Sequence, residues 1–94
     1  MDEHSVAIII KAIVQEQQDL IGPLAIDEAN KVPGLSILPG PEINKVDGEA
    51  EIVIKNLVNQ YSRLFGQTSI EVCKEAIKKV LPTISSTHIP EFLK

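Results

Sequence analysis

The chain has no tryptophan, one cysteine and two histidines, and its aromatic content is one tyrosine and two phenylalanines. A core built from it must be aliphatic, filled by isoleucine, valine and leucine. Cys73 has no second cysteine to pair with, and with only His4 and His88 beside it the usual zinc ligand sets cannot be assembled. Long hydrophobic runs are missing too. The longest uninterrupted apolar stretch is Val6 to Ile10, against the roughly 20 residues that a membrane-spanning helix needs. Nor is there an excess of positive charge: nine basic against thirteen acidic side chains leave a net charge of −4, which disfavours nucleic acid and anionic membrane as partners. The opening Met1-Asp2-Glu3-His4 lacks the basic region of a secretory signal, so a cytoplasmic location is expected.

What is present is helical periodicity. Val6, Ile9, Ile10, Ile13, Val14, Leu20 and Ile21 recur at spacings of three and four, the signature of one buried helical face. Gln17 sits in that register where an apolar residue is expected. Gly22 stops the helix and Pro23 restarts the chain in a short second helix to about Val32, which Pro33-Gly34 ends. Residues 33–48 carry three prolines and three glycines, which exclude a regular helix. Leu35, Ile37 and Leu38 make this connector too apolar for a solvated linker, and part of it should lie against a helical face. A third helix begins near Glu49 with Asp47 or Gly48 as cap, and buries Ala50, Val53, Ile54, Leu57, Val58, Tyr61, Leu64 and Phe65. Gly66 ends it. Thr68 with Glu71 has capping-box spacing for a fourth helix whose apolar positions run from Ile70 through Cys73, Ala76, Ile77 and Val80 to Leu81. A last turn is expected at Pro90-Glu91-Phe92-Leu93.

Shifting the chain by 44 residues lays the first helix on the third: Ile8 meets Ile52, Ile10 meets Ile54, Lys11 meets Lys55, Val14 meets Val58, Leu20 meets Leu64, Gly22 meets Gly66 and Ile26 meets Ile70. These are seven identities in nineteen positions, more than two amphipathic helices need share, and they include the stop glycine. Allowing three extra residues in the second copy also brings Glu28-Ala29 and Lys31 onto Glu75-Ala76 and Lys78. The expectation is therefore an all-α, four-helix arrangement from two helix-turn-helix repeats joined by a long Pro/Gly connector. It forms one domain over 1–94, with repeat one at about 5–32, the connector at 33–48, repeat two at about 49–81 and a tail at 82–94. Neither unit covers its own apolar stripe, so each must pack on the other or on another molecule.

The string Leu20-Ile21-Gly22-Pro23-Leu24-Ala25 resembles the Ile-Gly-Pro motif of small helical modules attached to bacterial signalling proteins, eukaryotic-like serine/threonine kinases among them. The resemblance spans about six to twelve residues, and the second copy departs from it, with Gln67 in place of the proline. It implies a non-catalytic signalling or oligomerisation module and supplies no catalytic residues.

The residues themselves suggest no convergent chemistry. Cys73 falls on an apolar helical face, where a thiol is a small core residue. The carboxylates lie in or beside first helical turns or four apart on one face, as complements to the helix dipole do. A DNA-reading second helix would need basic surroundings, but this one offers Asp27, Glu28, Asn30 and Lys31. Ser85-Ser86-Thr87 could accept phosphate or simply break the chain before its last turn. The expected function is a non-catalytic helical interaction or oligomerisation module, in bacterial signalling if the resemblance holds. It is expected to need no cofactor or metal, and to pair with itself as a homodimer or with another helical protein. Leu57, Tyr61 and Phe65 are the candidate anchors, because large side chains dominate interface energy. The alternative is a binder of small apolar ligands, with a cavity between the repeats.

Overall fold

The computed structural model describes residues 3–80. Six elements follow in order: α1 (Glu3–Ile21), α2 (Leu24–Ala29), β1 (Leu35–Leu38), β2 (Glu42–Val46), α3 (Ala50–Phe65) and α4 (Gln67–Val80). The expected helices are present, and the helical class holds with one addition. Part of the connector is a two-stranded antiparallel sheet rather than an irregular segment. Ser36 and Ile37 alternate between half-buried and buried, while Pro33-Gly34, Pro39-Gly40-Pro41 and Asp47-Gly48 supply the turns that bracket the two strands. Leu35 and Ile37 point into the core, as the apolar character of the connector requires.

The strands pair Leu35 with Val46 and Ser36 with Lys45, then slip, so that Ile37 faces Ile43. Asn44 is the extra residue of this bulge, and its side-chain amide donates to Ser36 Oγ at 3.2 Å. Asn30, just past α2, covers the outer edge of β1: its Nδ2 donates to the Ile37 carbonyl at 3.0 Å and its Oδ1 accepts from the Ile37 amide at 2.7 Å. One side chain thereby does the work of a neighbouring strand. At the base of the hairpin Gly34 holds φ +83°, and the Asp47 amide donates to its carbonyl at 2.6 Å.

Three expected local features are corrected. The second helix ends at Ala29: Asn30 is its cap, and beyond it the Lys31 and Val32 amides donate only three residues back, to the Glu28 and Ala29 carbonyls. Asp47 and Gly48 do not cap α3; Glu49 takes the cap position with no side-chain bond, since Asp47 is held by Gly34. The helix of Thr68 already starts at Gln67, directly after Gly66, so Thr68 lies inside the first turn and forms no capping box; the Ser69 amide instead donates to the Gly66 carbonyl. Gly22 and Gly66 do break the chain as expected, at φ +72° and +79°. The turn at Pro90-Glu91-Phe92-Leu93, Ser85-Ser86-Thr87, His88, Leu81 and the side chain of His4 lie outside the described residues.

The core is one aliphatic cluster with Tyr61 at its centre. Ile9, Ile10, Ile13 and Val14 of α1 share this cluster with Ile54, Leu57 and Val58 of α3, and the small Ala25, Ala29, Cys73 and Ala76 of α2 and α4 fill it between them. Helix α4 packs on α1 as well as on α3, and α2 packs on both α1 and α3, so the helices of the two halves interleave.

Candidate functional site

Two buried side-chain donors, Gln17 and Tyr61, help to fasten the halves together. Gln17 Nε2 on α1 donates to the Ser69 carbonyl of α4 at 3.2 Å and reaches Cys73 Sγ at 3.6 Å. Tyr61 Oη on α3 donates to the Ala25 carbonyl of α2 at 2.7 Å. The two donors are 44 positions apart, and so are the two acceptors. Gln17, in a register where an apolar residue is expected, is thus a buried donor facing the other half.

Burial pushes the Cys73 thiol up to about 11, offset in part by the hydrogen bond from Gln17. The thiolate needed for nucleophilic chemistry is then about one part in ten thousand at neutral pH. Tyr61 is also raised, first by burial and then by the charges that Cys73 and Glu28 would carry. Glu28 is buried at 4% exposure, with Lys31 Nζ at 2.9 Å and Gln60 Nε2 at 2.8 Å on its two oxygens. These donors hold its carboxyl below the usual carboxylate range. Glu28 and Asn30 are thus both committed internally, to α3 and to the hairpin.

The predicted anchors separate. Leu57 and Tyr61 are fully buried in the chain's own core, because α2 and α4 close over the α3 stripe, and they are not open to a partner. Phe65, at the last residue of α3, is half-buried against that core. A different surface is bare. Leu20 continues the buried register of α1, following Ile13 and Gln17 at steps of four and three, and Leu64 does the same on α3 after Leu57 and Tyr61. Both were expected in the core, yet they are 62% and 52% exposed, while the next residues, Ile21 and Phe65, pack against it.

Leu24, the first residue of α2, is 43% exposed. The bonds from Gln17 to Ser69 and from Tyr61 to Ala25 bring the Gly22 and Gly66 turns to one end of the bundle. That end therefore displays Leu20, Leu24 and Leu64 over half-buried Ile21, Phe65 and Ile70. The other exposed large apolar residues stand apart from it: Leu38 beside the hairpin turn, and Ile52 in the first turn of α3.

Two grooves open to solvent on other faces. One of about 410 Å³ runs between the start of α1, β2 and the start of α3, and is lined by Val6, Ala7, Ile43 to Val46, Gly48 and Ala50. The other, about 320 Å³, is polar and gathers Lys31, Asn56, Asn59, Gln60 and Arg63 around Val32 and Pro33. Neither is the enclosed aliphatic cavity that a buried apolar ligand needs. Among the described residues no three metal-ligating side chains converge, and no helix is long and apolar enough to cross a membrane.

No family model, curated protein or solved structure matches the chain.

Proposed function

We propose that the chain is a non-catalytic helical interaction module, built from two copies of one helix-turn-helix unit, that associates through the apolar end bearing its two glycine turns. The observation that carries this reading is that Leu20, Leu24 and Leu64 are all exposed at the end of the bundle where the Gly22 and Gly66 turns lie. Singly exposed leucines are ordinary, whereas several at one end, beside half-buried apolar neighbours, favour a contact surface.

The repeat is supported by packing as well as by identities. At a constant offset of 44, Ile9 and Val53, Ile10 and Ile54, Ile13 and Leu57, Val14 and Val58, Gln17 and Tyr61, Ala25 and Ser69, and Ala29 and Cys73 are all buried. The three-residue insertion expected in the second copy is not needed for these pairs. The two donor–acceptor bonds exchange under the same shift, as an approximate two-fold axis between the halves demands. The partner is another copy or another helical protein, and the Ile-Gly-Pro resemblance points to a signalling setting.

Each half-exposed leucine hidden on association contributes about 1 kcal/mol, so the contact is modest and should respond to dilution. Sedimentation equilibrium of the wild type and of Leu64→Glu tests the reading. Concentration-dependent association that disappears in the variant, with helicity unchanged in circular dichroism, is the expected result. A wild type that stays monomeric at every concentration, or a variant that associates as well as the wild type, overturns it.

A further inference from the structure

The apolar end has two sides, and their charges are opposite at matched positions. Asp19 precedes Leu20 on α1 and Arg63 precedes Leu64 on α3; they stand 44 residues apart. Both are exposed. Among the described residues neither enters a salt bridge, Lys79 being held by Glu16 and Lys31 by Glu28. Glu16 and Asp19 outnumber Lys79 and leave the α1 side net acidic, while Gln60 and Arg63 occupy the same positions on the α3 side, near Lys31, which is paired with Glu28.

An approximate two-fold symmetric patch can meet a second copy of itself in two ways. With the dimer axis at right angles to the line between the halves, the α1 side of one copy lies over the α3 side of the other. With the axis along that line, α1 faces α1 and α3 faces α3. The first arrangement sets Asp19 of each copy beside Arg63 of the other, twice; the second sets like charge against like. Rim charges of this sort select orientation more than they add affinity.

We propose that the occupant of the apolar end is a second copy of this chain, docked end to end with Leu20 and Leu24 of one copy over Leu64 and Phe65 of the other, and with two Asp19–Arg63 pairs closing the rim. This rests on the reading of that end as an association surface and adds the partner and its orientation.

The experiment is a charge reversal read in trans. Asp19→Arg and Arg63→Asp are made separately and studied by sedimentation equilibrium, alone and mixed in equal amounts, beside Leu64→Glu. Each single reversal turns both attractive pairs of a homodimer into repulsive ones and is expected to weaken association about tenfold or more. The equimolar mixture regains the wild-type affinity, because in the mixed dimer both pairs are again opposite in charge. Circular dichroism of each variant verifies the fold.

If both reversals associate like the wild type while Leu64→Glu does not, the association surface stands and the arrangement falls. Weakened single variants that mixing fails to rescue also overturn the arrangement. If Leu64→Glu has no effect, or the wild type is a monomer throughout, the underlying reading fails with it.

Discussion

Replacing Tyr61 with Phe removes one oxygen from the centre of the protein, and the sign of its effect should change with pH. The hydroxyl donates to the Ala25 carbonyl at 2.7 Å in a fully buried setting, and the ring's packing survives the substitution. A buried hydrogen bond lost with its acceptor left in place costs about 1–2 kcal/mol. In a domain this small that lowers the melting temperature by about 5–10 °C near neutral pH.

The same oxygen is a liability in alkali. Burial raises the Tyr61 hydroxyl above its ordinary value of 10.0, so the unfolded chain loses this proton first as pH rises. A group whose folded value is raised contributes stability that is fully present below the unfolded value and is lost as pH climbs towards the folded one. Above pH about 10 the wild type therefore loses about 1.4 kcal/mol per pH unit more than Tyr61→Phe does. The initial deficit of the variant is cancelled after about one unit, and the two proteins cross in stability near pH 11. Cys73 adds a decline from pH about 9, but it does so in both proteins and drops out of the comparison. Urea unfolding at a series of pH values supplies the measurement. A variant as stable as the wild type at pH 7, or one whose deficit stays constant from pH 7 to 11, would refute the role given to this hydrogen bond.

Two further substitutions examine the hairpin and the turns. A Cβ on Gly34 would collide with the Asp47 carbonyl oxygen, and the backbone there is at φ +83°, so Gly34→Ala should destabilise by about 2–4 kcal/mol. Gly22→Ala, at φ +72° with open space around the added carbon, should cost only about 1 kcal/mol; equal losses in thermal melts would contradict the distinction. Asn30→Ala strips both hydrogen bonds from the edge of β1 and should cost about 1–2 kcal/mol while speeding hydrogen exchange at the Ile37 amide. Unchanged exchange there would mean that the strand edge does not depend on Asn30.

The helices were legible because their apolar residues keep a period that little else explains, and Gly22 and Gly66 mark their ends. The hairpin was harder to read. Its three prolines rule out helix, while the strand signal is short: the alternation of Leu35 to Leu38 and the Pro39-Gly40-Pro41 turn together are a strand-turn-strand pattern of only a few residues. Asn30 gives no local signal at all, since its partner Ile37 is brought to it by the turn at Pro33-Gly34. Leu20 and Leu64 were misplaced for a different reason: periodicity reports the face a residue is on, but not whether a neighbouring helix extends far enough to cover it. Tyr61 shows the converse. A large side chain at the right phase fits a core and an interface equally well, and only the position of α2, whose Ala25 carbonyl lies 2.7 Å from the hydroxyl, decides for the core.

The comparison of the two halves turns on a mismatch. Gln17 and Tyr61 share neither size nor class, so an alignment scores the pair as a difference. Each nevertheless points one donor at a backbone carbonyl in the first turn of the opposite half's second helix, Ser69 in one case and Ala25 in the other. Both acceptors belong to small residues, so the helix backbone can come within reach of the donor. What the two halves share at this position is a donor and a small residue opposite it, which the physics of a buried seam requires, since an unpaired polar group there is costly. Identity of side chain is one way to meet that requirement and not the only one. The same logic runs the other way at Asp19 and Arg63, where solvent imposes no such requirement and the two halves diverge to opposite charge.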